Sequence, residues 1–176
     1  MAEDSATAAG GAQSAPLEEL GNGSGFAGAI FGLVGRSQFF TEFTREDIDL
    51  LASYMRIYRA KPQQTIIREG DIGDSMLMVI DGEVEIYKTN ALGGQQFLTS
   101  VKPGATIGEM SMIDGAPRFA TCIALRNTTF GVLTRDNMGR IIHERPGLGA
   151  KILIKLVTLL SQRLRQTSAQ LLHHLR

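Results

Sequence analysis

The chain has 176 residues, 43% hydrophobic and 20% charged, with 18 Lys and Arg against 18 Asp and Glu. That length supports one domain with a substantial core, and a formal charge of zero does not argue for a nucleic-acid surface. One cysteine, Cys122, precludes an internal disulfide, and no run approaches the roughly 18 apolar residues of a membrane-spanning helix.

The charge is unevenly placed. Residues 1–25 hold Glu3, Asp4, Glu18 and Glu19 and no base, which leaves 18 bases against 14 acids in the remainder. This segment is dominated by Gly, Ala and Ser, buries too little to offset ordering entropy, and is expected to be disordered. Its start is acidic and lacks an apolar stretch, so it is not a signal peptide. With Cys122 in the apolar run ATCIAL, the reading is a cytoplasmic protein.

Residues 26–55 form a helical lead-in. FAGAIFGLVGRSQFF (26–40) is apolar but broken by glycines, which predicts one or two short helical turns. TREDIDLLASYM (44–55) predicts a helix: Thr44 can cap it, Asp47 falls at the third helical position, and Ile48, Leu51 and Met55 recur at helical spacing. From 56 to 134 the period changes to short β-rich runs: RIYRA, TIIRE, SMLMVI, EVEIYKT, QFLTSV, FATCIAL and FGVLT. Turn chemistry separates them. MLMVIDGEVEIYK reads as a hairpin with Asp81-Gly82 at its tip. Seven or eight short antiparallel strands predict a small sandwich or barrel. Residues 135–176 turn helical again: RDNMGRIIHE is one short helix ended by Pro146, and a long helix runs from about Gly149 to the end. That helix carries bases and no acid, which reads as a solvated outer face suited to the negative end of the helix dipole.

The stretch TIGEMSMIDGAPRFATCIA (106–124) holds one Glu and one Arg in otherwise apolar surroundings. Two unpaired charges near a core are costly unless something satisfies them. Gly108 can open a short helix, leaving the amides of Glu109, Met110 and Ser111 free to face an anion. Arg118 offers a planar fork of donors that suits a phosphate, and Glu109 is an acceptor for a sugar hydroxyl. Together they suit a phosphate attached to a ribose. The alternative is an internal Glu109–Arg118 salt bridge.

GEMSMIDGAPRFAT resembles the phosphate-binding cassette of cyclic nucleotide-binding domains. IIREGDIGDSMLMVIDGEVEIYK (66–88) is similar to that family's first strands, and FFTEFTREDIDLLA to its helical lead-in. The resemblance spans about residues 35–176, with both catabolite activator-like and protein kinase A regulatory subunit-like features. It implies an eight-stranded antiparallel jelly roll, mostly β, flanked by N-terminal helices and a long C-terminal helix. It further implies that Arg118 clasps a cyclic phosphate, that Glu109 accepts from the ribose 2′-OH, that Gly108 lets backbone approach the sugar, and that the amides of Met110 and Ala120 add contacts. Gly70 and Gly82 match structural glycines. Phe119 departs from the pattern, since the residue after the Arg is usually small or hydroxylated; Phe cannot touch phosphate or guanine as Ser or Thr can. This favours cAMP over cGMP, while an aromatic able to stack on a base leaves cyclic di-GMP as an alternative. QRLRQTSAQLL resembles the long helix of the catabolite activator family, where a Thr-Ser pair reaches adenine. Here the pair is Thr167-Ser168; taken alone, it also reads as a polar surface pair.

Catalysis is not expected. The histidines, His143, His173 and His174, lie in the helical C-terminal part, so no strand can offer an imidazole to a barrel metal, and no Ser/His/Asp or Cys/His arrangement is evident. No helix-turn-helix follows the long helix in this sequence, so DNA binding by this chain alone is not expected and the output is a protein effector; the ligand-binding half of a transcription regulator is the alternative. Leu153, Leu156, Leu160, Leu164, Thr167, Leu171 and Leu175 follow a heptad-like seam, which predicts a homodimer through residues 150–176.

Overall fold

The computed structural model describes residues 16–174. Nine strands form two antiparallel sheets. The first has the order β1-β2-β9-β4-β7 and the second β3-β8-β5-β6, with β1 at Glu18–Asn22, β2 at Arg56–Ala60, β3 at Thr65–Ile67, β4 at Ser75–Asp81, β5 at Val84–Thr89, β6 at Gln95–Val101, β7 at Thr106–Ile107, β8 at Thr121–Ala124 and β9 at Thr128–Thr134. Strands β2–β9 make the expected eight-stranded jelly roll, and β1 is an addition at its edge.

Residues 16–25 correct the expectation of a disordered tail through 25. Glu18–Asn22 pairs with β2, and Glu19 and Glu18 meet Arg56 and Arg59 across the pair at 3.1 and 3.8 Å. The segment buries little side chain; an open sheet edge orders it by satisfying its backbone, which composition does not report. Glu3 and Asp4 lie outside the described residues.

A second correction concerns the Asp81-Gly82 turn. β4 and β5 do not pair. β4 lies between β9 and β7, and β5 between β8 and β6. The turn is a corner that carries the chain from one sheet to the other. Turn chemistry marks where a strand ends, not which strand it joins. The observed hairpin is β5–β6, closed by Asn90 and Gly94 (2.8 Å).

Burial of β4 explains the layering. Met76, Met78 and Ile80 face the helices, while Leu77 and Val79 face the barrel interior with Ile67, Val84, Ile107, Cys122 and Phe130. A strand covered on both faces reads as a continuous apolar run. The helical layer comprises α1 (Ala27–Phe31), α2 (Arg45–Ser53), α4 (Arg135–Glu144) and α5 (Pro146–His174). Thr44 and Asp47 close the predicted capping box of α2 reciprocally. α5 begins at Pro146 rather than Gly149: Pro has no N–H to lose at a first helical position and so can open a helix as readily as end one.

Leu148, Ile152, Leu156 and Leu159 anchor α5 in the helical core. The predicted seam is therefore corrected at Leu156, which is buried. Lys151 and Lys155 are not a solvated face either: they reach Asp47 (2.5 Å) and Glu42 (3.0 Å) and tie α5 to the lead-in. Leu175 lies outside the described residues.

Candidate functional site

The segment between β7 and β8 contains α3 (Glu109–Asp114). Gly108 precedes it with φ +79°, a left-handed conformation that suits glycine. A Cβ there would lie 2.7 Å from Arg118 Nη1. Carbonyls at the other end of α3 are held by the first residue of α4: Arg135 donates to Met112 O (2.6 Å) and to Ser111 O (2.7 Å), which also accepts from Gly115 N. The short helix is thus held to α4 by a guanidinium.

Arg118 is 8% exposed and Glu109 1%. They do not form the internal salt bridge that spacing alone allowed. Arg118 Nη1 donates to Ser75 O (2.7 Å) and Gly108 O (3.0 Å), and Nη2 to Ser75 Oγ (3.0 Å). An arginine has five N–H donors, so Nε–H and one Nη2–H remain. No carboxylate contacts it among the described residues, and burial pulls its pKa down from the ordinary value. The guanidinium is held by carbonyls and a hydroxyl and has no direct ion pair, while Asp74, Asp71 and Glu109 favour its charge from a distance.

Glu109 finds its partner 54 residues away. Arg163 of α5 donates through Nη1 to Glu109 Oε1 and through Nη2 to Thr106 O (2.9 Å). The second oxygen, Oε2, is buried and accepts no hydrogen bond. A buried carboxylate oxygen without a donor is costly.

Both groups line one cavity of about 120 Å³, with Gly108, Met110, Phe119 and Ala120 on its wall and Ile67, Ile86, Ile107 and Cys122 among its apolar lining. Burial pushes the Cys122 thiol up to about 12, which makes it an inert wall residue. The structure therefore brings six of the sequence-predicted site residues, Gly108, Glu109, Met110, Arg118, Phe119 and Ala120, to a common space. Phe119 stands at the edge, 57% exposed. Lys88 Nζ sits 4.4 Å from its ring centre, donates to its carbonyl (2.7 Å) and pairs with Glu69 (2.6 Å). That Lys88 bond holds Glu69 at a pKa of about 2. Thr167 and Ser168 are exposed on α5 and do not line the cavity.

Three residues escaped sequence reasoning. Arg163 sits in a basic helix and looked solvated. Ser75 opens β4 and read as an ordinary strand residue. Gly73 lies in the family-like stretch 66–88 and reads there as turn chemistry with no ligand role; a Cβ there would lie 2.6 Å from Arg118 Cζ. Gly73→Ala is expected to push the guanidinium out of its carbonyl cradle. Its thermal midpoint should fall by only a few degrees, since the residue is at a half-exposed loop, while the Arg118 Nε resonance shifts in NMR as its donors leave Ser75 and Gly108.

Among the described residues no helix is long and apolar enough to cross a membrane. The family model of the cyclic nucleotide-binding domain matches residues 58–145. The fold resembles the crystal structure of a cyclic nucleotide-binding domain from Methylobacillus flagellatus, with a TM-score of 0.79 and 39% identity over 89% of this chain and 88% of that one. The sequence is 31% identical over 136 residues to the cyclic AMP receptor protein of Thermus thermophilus, covering 77% of this chain and 61% of the relative. The regulatory domain of Toxoplasma gondii PKA, crystallised with cAMP, is 26% identical with a TM-score of 0.59, covering 66% of this chain and 44% of that one. The chain thus spans less than two thirds of the length of the Thermus relative.

Proposed function

Since the chain belongs to the cyclic nucleotide-binding domain family, we propose that it is a cAMP sensor whose ligand occupies the cavity between α3, β8 and α5. One observation carries this reading: a buried carboxylate oxygen without a donor and a buried guanidinium without a direct ion pair share an apolar-walled space. A cyclic phosphate would take the unused Nε–H and Nη2–H of Arg118. The ribose 2′-OH would donate to Glu109 Oε2, leaving Arg163 on Oε1. The amides of Met110 and Ala120 add contacts. The names of the relatives favour a cyclic adenosine ligand: the Thermus protein is called a cyclic AMP receptor, and the Toxoplasma domain was crystallised with cAMP. Phe119 in place of a hydroxyl residue supports cAMP over cGMP. Calorimetric titration with cAMP, cGMP and cyclic di-GMP tests the assignment. The expected order of affinity is cAMP, then cGMP, with cyclic di-GMP weakest; no cAMP binding at millimolar concentration rejects it.

The signal would leave through α4 and α5. Arg135 ties α3 to α4 and Arg163 ties Glu109 to α5, so a ligand that pulls on the cassette biases both helices, and the helices bias affinity in return. The effector is a protein in the cytoplasm, and the chain acts as a homodimer. The support is a stripe on α5, exposed except at the half-buried Leu160: Leu153, Val157, Leu160, Leu164, Thr167 and Leu171 recur at alternating steps of four and three. Val157, Leu164 and Leu171 are each 60% or more exposed. Such a seam matches a coiled-coil face and would place Thr167 and Ser168 near a partner's adenine. Light scattering at micromolar concentration should give a dimer mass. Val157→Glu with Leu164→Glu should halve it; a wild-type monomer removes this part of the proposal.

A further inference from the structure

A second cleft, of about 460 Å³, lies on the other side of Arg163 from the nucleotide cavity. It is bounded by the turn at 36–39, the β6–β7 loop and α5. Its volume falls within the range of about 300–1,000 Å³ typical of small-ligand sites. Three features give it a chemistry. Its lining includes Arg36, Lys102 and Arg163 and contains no acid. Arg36 and Lys102 have no ion-pair partner among the described residues. Thr106 is 1% exposed, yet its Oγ1 makes no hydrogen bond. Strand alternation turns Ile107 into the barrel interior, so Thr106 faces the opposite way, where it lines the cleft. The wall is tied in place by Ser37 Oγ donating to Gly104 O (2.5 Å). Val101 and Pro103, both half-buried, add apolar surface.

We infer that this cleft is a second binding site, for a small organic anion with a phosphate or carboxylate head and an apolar body. Arg36 and Lys102 meet the head, the Thr106 hydroxyl donates to it, and Val101 and Pro103 pack the body. Arg163 lines both spaces. An anion in the cleft competes with Glu109 for it and so lowers nucleotide affinity; this consequence rests on the function proposed above, whereas the site itself does not.

The test is a titration of the full chain with phenyl phosphate, followed by amide and Arg Nε resonances. Benzoate reports whether carboxylate serves as well, benzyl alcohol removes the charge, and inorganic phosphate removes the apolar body. Saturable shifts at Lys102, Thr106, Arg163 and Gln166 are expected. They should be lost with benzyl alcohol, weakened with inorganic phosphate, and about tenfold weaker in affinity for Arg36→Ala/Lys102→Ala. Phenyl phosphate should raise the cAMP Kd several-fold in the wild type and leave it unchanged in the double variant. An affinity unchanged in the double variant, or shifts that inorganic phosphate reproduces in full at the same affinity, overturn the site. If cAMP fails to bind at all, the reading of the first cavity falls and the phenyl phosphate titration still decides this one.

Discussion

Arg118→Ala is expected to lower cAMP affinity by roughly 10²–10³-fold, the scale of about 3–5 kcal/mol for leaving a buried charge without its partner. The side chain is 8% exposed, and among the described residues the one other cation lining the cavity, Arg163, is engaged with Glu109 and Thr106 O. A cyclic phosphate entering the Ala variant would be desolvated with no fork of donors to receive it. The variant also strips donors from Ser75 O and Gly108 O, so some loss of stability is expected, and a thermal scan alongside the calorimetry separates this from the loss of binding. Arg118→Lys keeps the charge but offers a point donor instead of a planar fork, and should recover only part of the affinity. Equal cAMP affinity in wild type and Arg118→Ala would place the ligand elsewhere.

Arg163→Ala is expected to cost about 2–3 kcal/mol of stability, equivalent to a thermal midpoint lower by about 4–10 °C for a chain of this length. Glu109 is 1% exposed, and its Oε1 takes its bond from Arg163. Without that guanidinium both carboxylate oxygens are left without partners. Breaking a fully buried pair costs about 3–5 kcal/mol. The Arg163 side chain is 45% exposed, so water can follow the truncated side chain and the loss is smaller. The affinity for cAMP should fall about tenfold as well, because the carboxylate proposed to receive the ribose loses its support. Glu109→Gln in the same chain should return much of the stability, since it removes the unpaired charge while keeping the shape; the double-mutant cycle then isolates the pair. If Arg163→Ala melts with the wild type, the contact carries no energy and α5 is not coupled to the cavity through it.

Local chemistry was legible in the chain alone. The capping box at Thr44 and Asp47, the short β runs, the glycine that opens α3, and the spacing of Glu109 and Arg118 all depend on residues a few positions apart. Backbone sterics and hydrogen-bond reach act at that range, so the pattern is written where it operates. Strand pairing was not legible in the same way. Asp81-Gly82 announces a turn, yet whether β4 and β5 become neighbours depends on β7, β8 and β9, which arrive later and from other parts of the chain. The Glu18–Asn22 strand likewise exists because β2 has an open edge.

The site divides along the same line. A lone carboxylate and a lone guanidinium in an apolar stretch pointed to a ligand, but only the folded chain decides that they stay apart and which groups hold them. Arg118 is fixed by Ser75 and by the space at Gly73, Glu109 by a helix residue 54 positions on. In α5 the leucine spacing was plain, while packing chose the faces: Leu156 turns into the helical core and Val157 outward. A helix of this length carries more apolar positions than one neighbour can cover. Its sequence therefore determined that it is amphipathic, and the rotation at which it meets the barrel decided which residues remain for a partner.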